Sequence, residues 1–400
     1  MGIKNSALLF VTASLLFNAC TNSPQADSKI ILKAVRIDST ALADSLAGEH
    51  LKVHQGQKTK QLEALFKTKF KTSGFNGNIL IAQHGQIIYK GSYGVADFKT
   101  KYPLTLNSAF QLGSSSKPLT AMAVIILHEK GLLKYTQTVD EFFPDFPYKK
   151  VTVKSLLTHR SGLPNYMYFC DSLYCCQDRP ISNDALLKLI IEKKPPLYAQ
   201  PNRKFEYCNT NYSLLVNIIE KVSGKKFAEV MRTEIFRPLG MKNTWVSNPD
   251  SNKLHKEKTI GHKANRKQYD DDYLDGILGD KNIFTTIDDL FLFDQALYAG
   301  TLIKKESLDE AYTGASKEHP GKRNYGYGWR MIEEKNGDKI IYHNGWWHGY
   351  NNVFYRRIKD QTTVIILSNK ITSGIYHIDD VLAILDGTDK ASGSVVDNDQ

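Results

Sequence analysis

The stretch "FQLGSSSKPLTAMAVIILHEKGLL" (110–133) decides how the rest of the chain is read. A serine-rich turn opens a long apolar helix, and a lysine sits in its first turn. A helix N-terminus is partially positive, so an acidic residue belongs there rather than a cation. The usual capping box sets Glu or Gln three residues after the cap serine, yet Ser114 is followed at that spacing by Lys117. Residues three apart on a helix are neighbours. The dipole and burial both disfavour an ammonium, so this amine is expected to take up the Ser114 proton and make the hydroxyl a nucleophile. A second Ser-x-x-Lys, Ser223 to Lys226 in "VSGKKF", has Gly224 inside it at a helix end. Its two side chains are not expected to share a helical face. Alone, Ser114 and Lys117 also fit a cap serine beside an exposed lysine.

Two further stretches carry chemistry. In "EYCNTNYSLL" (206–215), Tyr207 and Asn209 lie two apart just before a helix. An extended segment turns both to one face and Cys208 to the other. A phenol relays protons and an amide orients a carbonyl; the plain reading is an ordinary Tyr and a cap Asn. In "YHNGWWHGYNN" (342–352), His343 and Gly345 stand among aromatic residues on late strands. Gly345 would let a backbone approach a substrate edge closely. Trp346, Trp347 and Tyr350 read equally as core or as an apolar wall.

The flanks give the architecture. The chain has 400 residues, is 42% hydrophobic and carries a net charge of +10, which reads as globular rather than disordered. "GNILIAQHGQIIYKGSYGVAD" reads as a hairpin turning at "QHGQ". From 134 to 312 helical spacing dominates. From 325 the pattern turns to strands, in "YGYGWRMIEE", "KIIYHNG", "GYNNVFYRRI" and "TTVIILSN", and the helix "IDDVLAILDG" follows. The expectation is an α/β (α+β) fold: one antiparallel sheet built from N- and C-terminal strands, flanked by helices, with an inserted helical lobe. The basic residues are dispersed and no zinc-finger or helix-turn-helix pattern occurs, so nucleic acid is not an expected partner.

Residues 1–19 read as a signal peptide, with a basic start and the short apolar run "ALLFVTASLLFNA". "LLFNAC" resembles a bacterial lipobox, which implies lipidation at Cys20. Residues 20–60 then read as a tether with some helix near its end, 61–385 as the domain and 386–400 as a polar tail. Export and a lipid anchor in the bacterial envelope, periplasmic or outer-membrane, are the expected location. In that oxidising setting Cys170, Cys175, Cys176 and Cys208 allow three disulfide connectivities and also four free thiols. Asp270, Asp271, Asp272 and Asp275 read as a solvated loop, with calcium as the alternative. His159 reads as a structural hydrogen-bonder.

Together the three motifs resemble the serine β-lactamase and penicillin-binding protein superfamily. The match is to its class C branch, which includes D-alanyl-D-alanine carboxypeptidases, esterases and D-aminopeptidases. "VTVKSLLTHRSGLPNY" (151–166), "IFRPLGMKNTWV" (235–246) and "IFTTIDDLFLFDQAL" (283–297) agree with that branch, and the resemblance spans about 62–385. It implies a β-lactamase/transpeptidase-like fold with the site between sheet and helical lobe. It also implies Ser114 as the acylated nucleophile, Lys117 and Tyr207 as the proton-transfer pair, and Asn209 on the substrate amide. His343 and Gly345 would form the docking strand edge, and the amides of Ser114 and Trp346 the oxyanion hole. No metal and no organic cofactor is implied. The loop 165–180 would border the cleft, and a disulfide from it to Cys208 would pin the cleft wall. Where the family's β-lactamases have Lys-Thr-Gly this chain has His-Asn-Gly. A histidine, mostly neutral near pH 7, holds a carboxylate less firmly. The expected function is therefore an envelope serine hydrolase on a D-amino-acid peptide, including a peptidoglycan peptide, or on a small ester or amide. A low-efficiency β-lactamase and a sensor that captures ligand without turnover are the alternatives.

Overall fold

The computed structural model describes residues 51–54, 56–247, 255–316, 323–334 and 337–388. The expected signal peptide, the Cys20 lipidation and nearly all of the tether lie outside these residues, as does the polar tail beyond 388. No helix among the described residues is long and apolar enough to cross a membrane.

A seven-stranded antiparallel sheet forms the centre. In chain order its strands and those of a small second sheet are β1 (Gly77–Gln83), β2 (Gln86–Tyr93), β3 (Phe110–Gln111), β4 (Trp245–Val246), β5 (Ile283–Thr285), β6 (Arg323–Tyr325), β7 (Arg330–Glu333), β8 (Lys339–Trp347), β9 (Tyr350–Arg357) and β10 (Thr362–Ser368). The large sheet runs β2-β1-β10-β9-β8-β7-β6. The N-terminal hairpin therefore pairs with the last strand, Ile79 opposite Ile366 and Leu80 opposite Ile365, so both chain ends do build one sheet. The β1–β2 turn is His84-Gly85, both at positive φ (53° and 71°), which matches the twist of the hairpin.

Both faces of the sheet are covered, and the strand sequences say why. Side chains alternate along a strand. In β1, Ile79 and Ile81 enter one core while Leu80 and Ala82 enter the other; in β10, Val364 and Ile366 part from Ile365 and Leu367 in the same way. Strands buried on both faces need continuous apolar runs. The smaller core packs under α1 (Gln57–Ser73) through Leu62 and Phe66, and under the final helix (Asp379–Asp386) through Val381, Leu382 and Leu385. The α1 helix starts at Gln57, inside the segment read as a tether with some helix near its end, and Val53 bridges to Ile87.

The larger core holds α2 (Lys117–Glu129), in which every residue from Lys117 to Leu127 is buried. Its all-round apolar surface is the mark of a helix enclosed by others. Around it pack the helices Asn183–Lys193, Asn209–Ser223 and Ile287–Ala299. The loop expected at 165–180 contains a helix, Tyr166–Leu173, because Asn165 caps it and Tyr166, Phe169 and Cys170 form a buried stripe.

The three-stranded second sheet, β3-β5-β4, has strands of two or three residues. It ties the segment before Ser114 to the segment after Asp280. Leu112 N–H donates to Ile283 O (2.8 Å), and Ile283 N–H to Ser116 Oγ (3.2 Å).

Candidate active site

Ser114 does not cap α2. It lies in a single 3₁₀ turn, Gly113–Ser116, and the α-helix starts at Lys117 itself. The tighter turn is what joins the pair, since 3₁₀ geometry eclipses side chains at i and i+3. Lys117 Nζ donates to Ser114 Oγ at 3.0 Å and to the Asp280 carbonyl at 3.1 Å. The amine is fully buried, both its hydrogen-bond partners are neutral oxygens, and it sits 5.0 Å from the centroid of the Tyr207 ring. By contrast Ser223 ends its helix, Gly224 is left-handed (φ 65°), and Lys226 turns outward to Glu220 (3.0 Å).

The Asp280 carbonyl is itself held. Lys281 Nζ donates to Tyr166 OH (2.6 Å), Tyr166 OH donates to Asp280 Oδ2 (2.6 Å), and Nζ lies 3.3 Å from Asp280 Oδ1. Each of the three is at most 2% exposed. Burial lowers the Lys281 pKa, and Asp280 opposes that shift. A charged pair locked by a phenol thus fixes the peptide that orients Lys117.

Strand β8 closes the other side. A Cβ on Gly345 would stand 1.9 Å from Leu112 O, and one on Gly113 (φ 51°) would stand 2.8 Å from Trp346 N. Both glycines are needed because β8 and the Ser114 turn touch backbone to backbone. Gly345 thus admits the protein's own turn, where the sequence suggested a substrate edge. Ser115 Oγ donates to His343 O (2.9 Å) across the same contact.

Tyr207 and Asn209 line the cleft, and Cys208 faces the core. Asn209 Nδ2 donates to Met167 Sδ (2.8 Å), and its Oδ1 has no partner. His159, fully buried, accepts from Cys208 N–H at Nδ1 (3.1 Å), and its carbonyl accepts from Glu206 N–H (2.8 Å). Its ring lies 4.3 Å from that of Tyr207. The structural role read for His159 is thus to set the Tyr207 segment. No disulfide links Cys208 to the 165–180 segment. The four cysteines among the described residues are free, Cys170 and Cys208 are buried in the core, and burial raises the Cys208 thiol to about 11. Cys175 Sγ and Cys176 Sγ lie 3.1 Å apart, unbonded.

The cleft encloses about 340 Å³ and is lined by Ser114, Tyr207, Asn209, His343, Gly345 and Trp346, so all seven expected site residues gather there, with Lys117 at its base. His343 is 1% exposed, with Nε2 paired to Tyr325 OH (3.1 Å) and Nδ1 to Asn344 O (2.7 Å). Burial, then the charges of Arg330 and Lys117, holds its pKa well below the usual histidine value. It is a neutral wall. Two cations line the cleft: Lys281, tied to Asp280 and Tyr166, and Arg330, whose guanidinium lies 5.3 Å from the Tyr207 ring centroid. Sequence reasoning missed Arg330, Asp280, Lys281 and Tyr166, which belong to no local pattern.

The acidic patch is not wholly solvated. Asp275 Oδ1 accepts from Trp347 Nε1 (2.6 Å), and the His348 ring sits 3.4 Å from both Asp272 and Asp275. These three groups place one ligand atom each within 4.8 Å, the one such trio among the described residues. The same atoms are engaged in the ion pairs. Burial disfavours the His348 imidazolium, but the two carboxylates outweigh it and raise the pKa to about 9. A raised folded pKa stabilises below the unfolded value, about 6.5, and that contribution is lost as pH climbs through about 9. Wild type is expected to lose thermal stability between pH 6.5 and 9, with a change in tryptophan fluorescence. His348→Asn should flatten that part of the profile; identical profiles would refute the clamp.

The comparisons with known proteins agree with this geometry. Residues 62–387 match the family model described as Beta-lactamase. Penicillin-binding protein 4* of Bacillus subtilis is 38% identical over 330 residues, 78% of this chain and 72% of that one. Teichoic acid D-alanine hydrolase of Staphylococcus aureus is 26% identical over 260 residues, 64% of this chain and 63% of that one. The solved octameric penicillin-binding protein homologue from Pyrococcus abyssi superposes with a TM-score of 0.71 at 26% identity, covering 82% and 77% of the two chains. The chain belongs to the β-lactamase and penicillin-binding protein family of serine hydrolases.

Proposed function

We propose that this chain hydrolyses a D-amino-acid peptide ending in a free carboxylate, through an acyl-enzyme on Ser114. The observation that carries the reading is the buried Lys117 amine 3.0 Å from Ser114 Oγ, in a cleft where the histidine is neutral and Arg330 is among the lining cations. As Oγ attacks the scissile carbonyl, its proton passes to Lys117, and Tyr207 relays it to the leaving amine. Water then attacks the ester, and the same groups return the proton to Oγ. The amides of Ser114 and Trp346 would receive the oxyanion; donors of this kind contribute about 3–4 kcal/mol each in other enzymes. Asn209, with its unpartnered Oδ1, would take the substrate amide. Arg330 would take the terminal carboxylate in place of the lysine that β-lactamases carry in the third motif. An exported, lipid-anchored chain would meet such peptides in the envelope.

A second reading is favoured by Glu206, which lines the same cleft, is one-third exposed and is ion-paired with Lys204 at 2.5 Å. Its carboxylate would take the ammonium of a D-alanyl ester in place of Lys204, and the S. aureus relative is named for the hydrolysis of teichoic acid D-alanine.

The test is one panel: a D-Ala-D-Ala peptide, a D-alanyl ester, nitrophenyl acetate and a chromogenic cephalosporin, each also with Ser114→Ala. Peptide turnover that vanishes in the variant is expected. Arg330→Ala should lower kcat/KM for the peptide by about 10–100-fold, the scale of one charge-assisted contact, and leave nitrophenyl acetate within about twofold. Equal losses on both would remove Arg330 from carboxylate recognition. A single stoichiometric adduct without turnover would make the chain a sensor.

A further inference from the structure

A second cavity, of about 690 Å³, shares no lining residue with the catalytic cleft. Five cations line it: Lys99, Lys101, Arg266, Lys267 and Lys370. They come from three segments far apart in sequence, so the clustering is a product of the fold and not of a basic run. Among the described residues none of the five has a carboxylate within ion-pair distance; the acid beside the cavity, Asp97, is turned to the Lys99 amide (2.8 Å), Thr100 Oγ1 (3.0 Å) and His262 (3.5 Å). Lys370 lies deepest, 8% exposed, donating to Gly74 O (2.8 Å). Burial and then the Arg266 charge lower its pKa, so the cations are close enough to repel.

His262 supplies an independent sign. It lines the cavity and is 1% exposed. Its Nε2 lies 3.4 Å from Phe98 N and 3.5 Å from Asp97 Oδ1, and its Nδ1 is buried without a partner. A polar atom left unpaired beside the hollow marks it as unfilled, and the cations that repel one another around it call for an anion with several acceptor oxygens. A carboxylate has one charge and two oxygens. A phosphate monoester carries about −1.5 to −2 and three terminal oxygens. Phe70, Phe75 and Phe98 line the same hollow, and Phe70 is 41% exposed, so the group attached to the phosphate meets apolar surface.

We propose that this cavity binds a phosphate group, free or carried on an anionic lipid headgroup. The inference is independent of the reaction at Ser114. The full chain is titrated calorimetrically with inorganic phosphate and with glycerol 3-phosphate. It is also floated with vesicles of phosphatidylcholine, with and without phosphatidic acid, a lipid whose headgroup is a phosphate monoester. Saturable binding is expected, and Arg266→Glu/Lys267→Glu should weaken it by about tenfold or more, the scale of one lost charge-assisted bond. Lys193→Glu/Lys225→Glu makes the same charge change outside the cavity and should stay within about twofold. Binding of the soluble phosphates identifies a free phosphate ligand; binding only to phosphatidic acid vesicles identifies the headgroup. Hydrolysis of nitrophenyl acetate reports that each variant is folded, and if the first pair fails that check, Lys99→Glu/Lys101→Glu replaces it. Equal losses in cavity and control variants, or no binding in any arm, overturn the proposal.

Discussion

Lys117→Met is expected to lower kcat/KM by about a hundred- to ten-thousandfold, the range that a positioned acid–base group contributes, and to leave the fold intact. The two halves of that expectation have separate grounds. The amine reaches Ser114 Oγ at 3.0 Å, so its loss leaves the hydroxyl without its nearest proton acceptor. The side chain is wholly enclosed, against the rings of Tyr207 (5.0 Å) and Tyr212 (5.6 Å). Methionine has similar length and suits that apolar sleeve. The one hydrogen-bond acceptor left behind in the core is the Asp280 carbonyl, and an orphaned neutral acceptor costs about 1–3 kcal/mol. Against this, a buried polar amine is removed, and it was itself costly to desolvate. A small net change in urea midpoint is expected beside the kinetic loss. Ser114→Ala must show an equal or larger kinetic loss. Rates within threefold of wild type in Lys117→Met would assign the proton to another group. A collapsed circular dichroism spectrum would make the lysine a packing residue.

The contrast between Ser114–Lys117 and Ser223–Lys226 shows what was legible. The pattern is identical, and a glycine inside the second copy was enough to reject it, since Gly224 ends the helix in the left-handed region. Tyr207 and Asn209 were legible for a similar reason: alternation in an extended segment is local. The sheet from both chain ends was legible because β1 and β10 are apolar on both faces and so must be interior. Other features depend on contacts between distant segments. Asp280 and Lys281 meet Tyr166 across more than a hundred residues, and nothing in "GDKNIF" marks a pair under the catalytic amine. Arg330 reads as one more charge on a strand until β7 is laid beside β8. The expected Cys208 disulfide failed because Cys208 faces the core, held by its own amide bond to His159. Gly345 was read as admitting a substrate edge, whereas the backbone that packs against it, Leu112 O, comes from the Ser114 turn.

Asp294→Ala is expected to destabilise the domain by about 3–5 kcal/mol, the cost of stranding one partner of a buried ion pair. Asp294 is fully buried and Arg356 is 1% exposed, with Nε donating to Oδ1 at 2.5 Å. Thr363 Oγ1 (2.8 Å) and Gln295 Nε2 (2.7 Å) donate to the other carboxylate oxygen, and Arg356 also donates to Tyr312 OH. The guanidinium is ringed by Tyr298, Trp329 and Tyr312, at 4.4, 5.7 and 5.8 Å from the ring centroids. The pair therefore joins the helix Ile287–Ala299 to strands β9 and β10 in the larger core. Removing the carboxylate leaves a cation with aromatic faces and one phenol but no counter-charge. Asp294→Asn keeps one acceptor oxygen and should cost less. The double variant Asp294→Leu/Arg356→Met should recover most of the loss, because an apolar pair of similar volume often equals a buried ion pair. Urea unfolding of the three variants checks this, with nitrophenyl acetate hydrolysis confirming the native cleft. A loss below 1 kcal/mol in Asp294→Ala would mean that water reaches the stranded guanidinium. A double variant no better than the single would show that the carboxylate's bonds to Thr363 and Gln295, rather than the charge pair, hold the helix to the sheet.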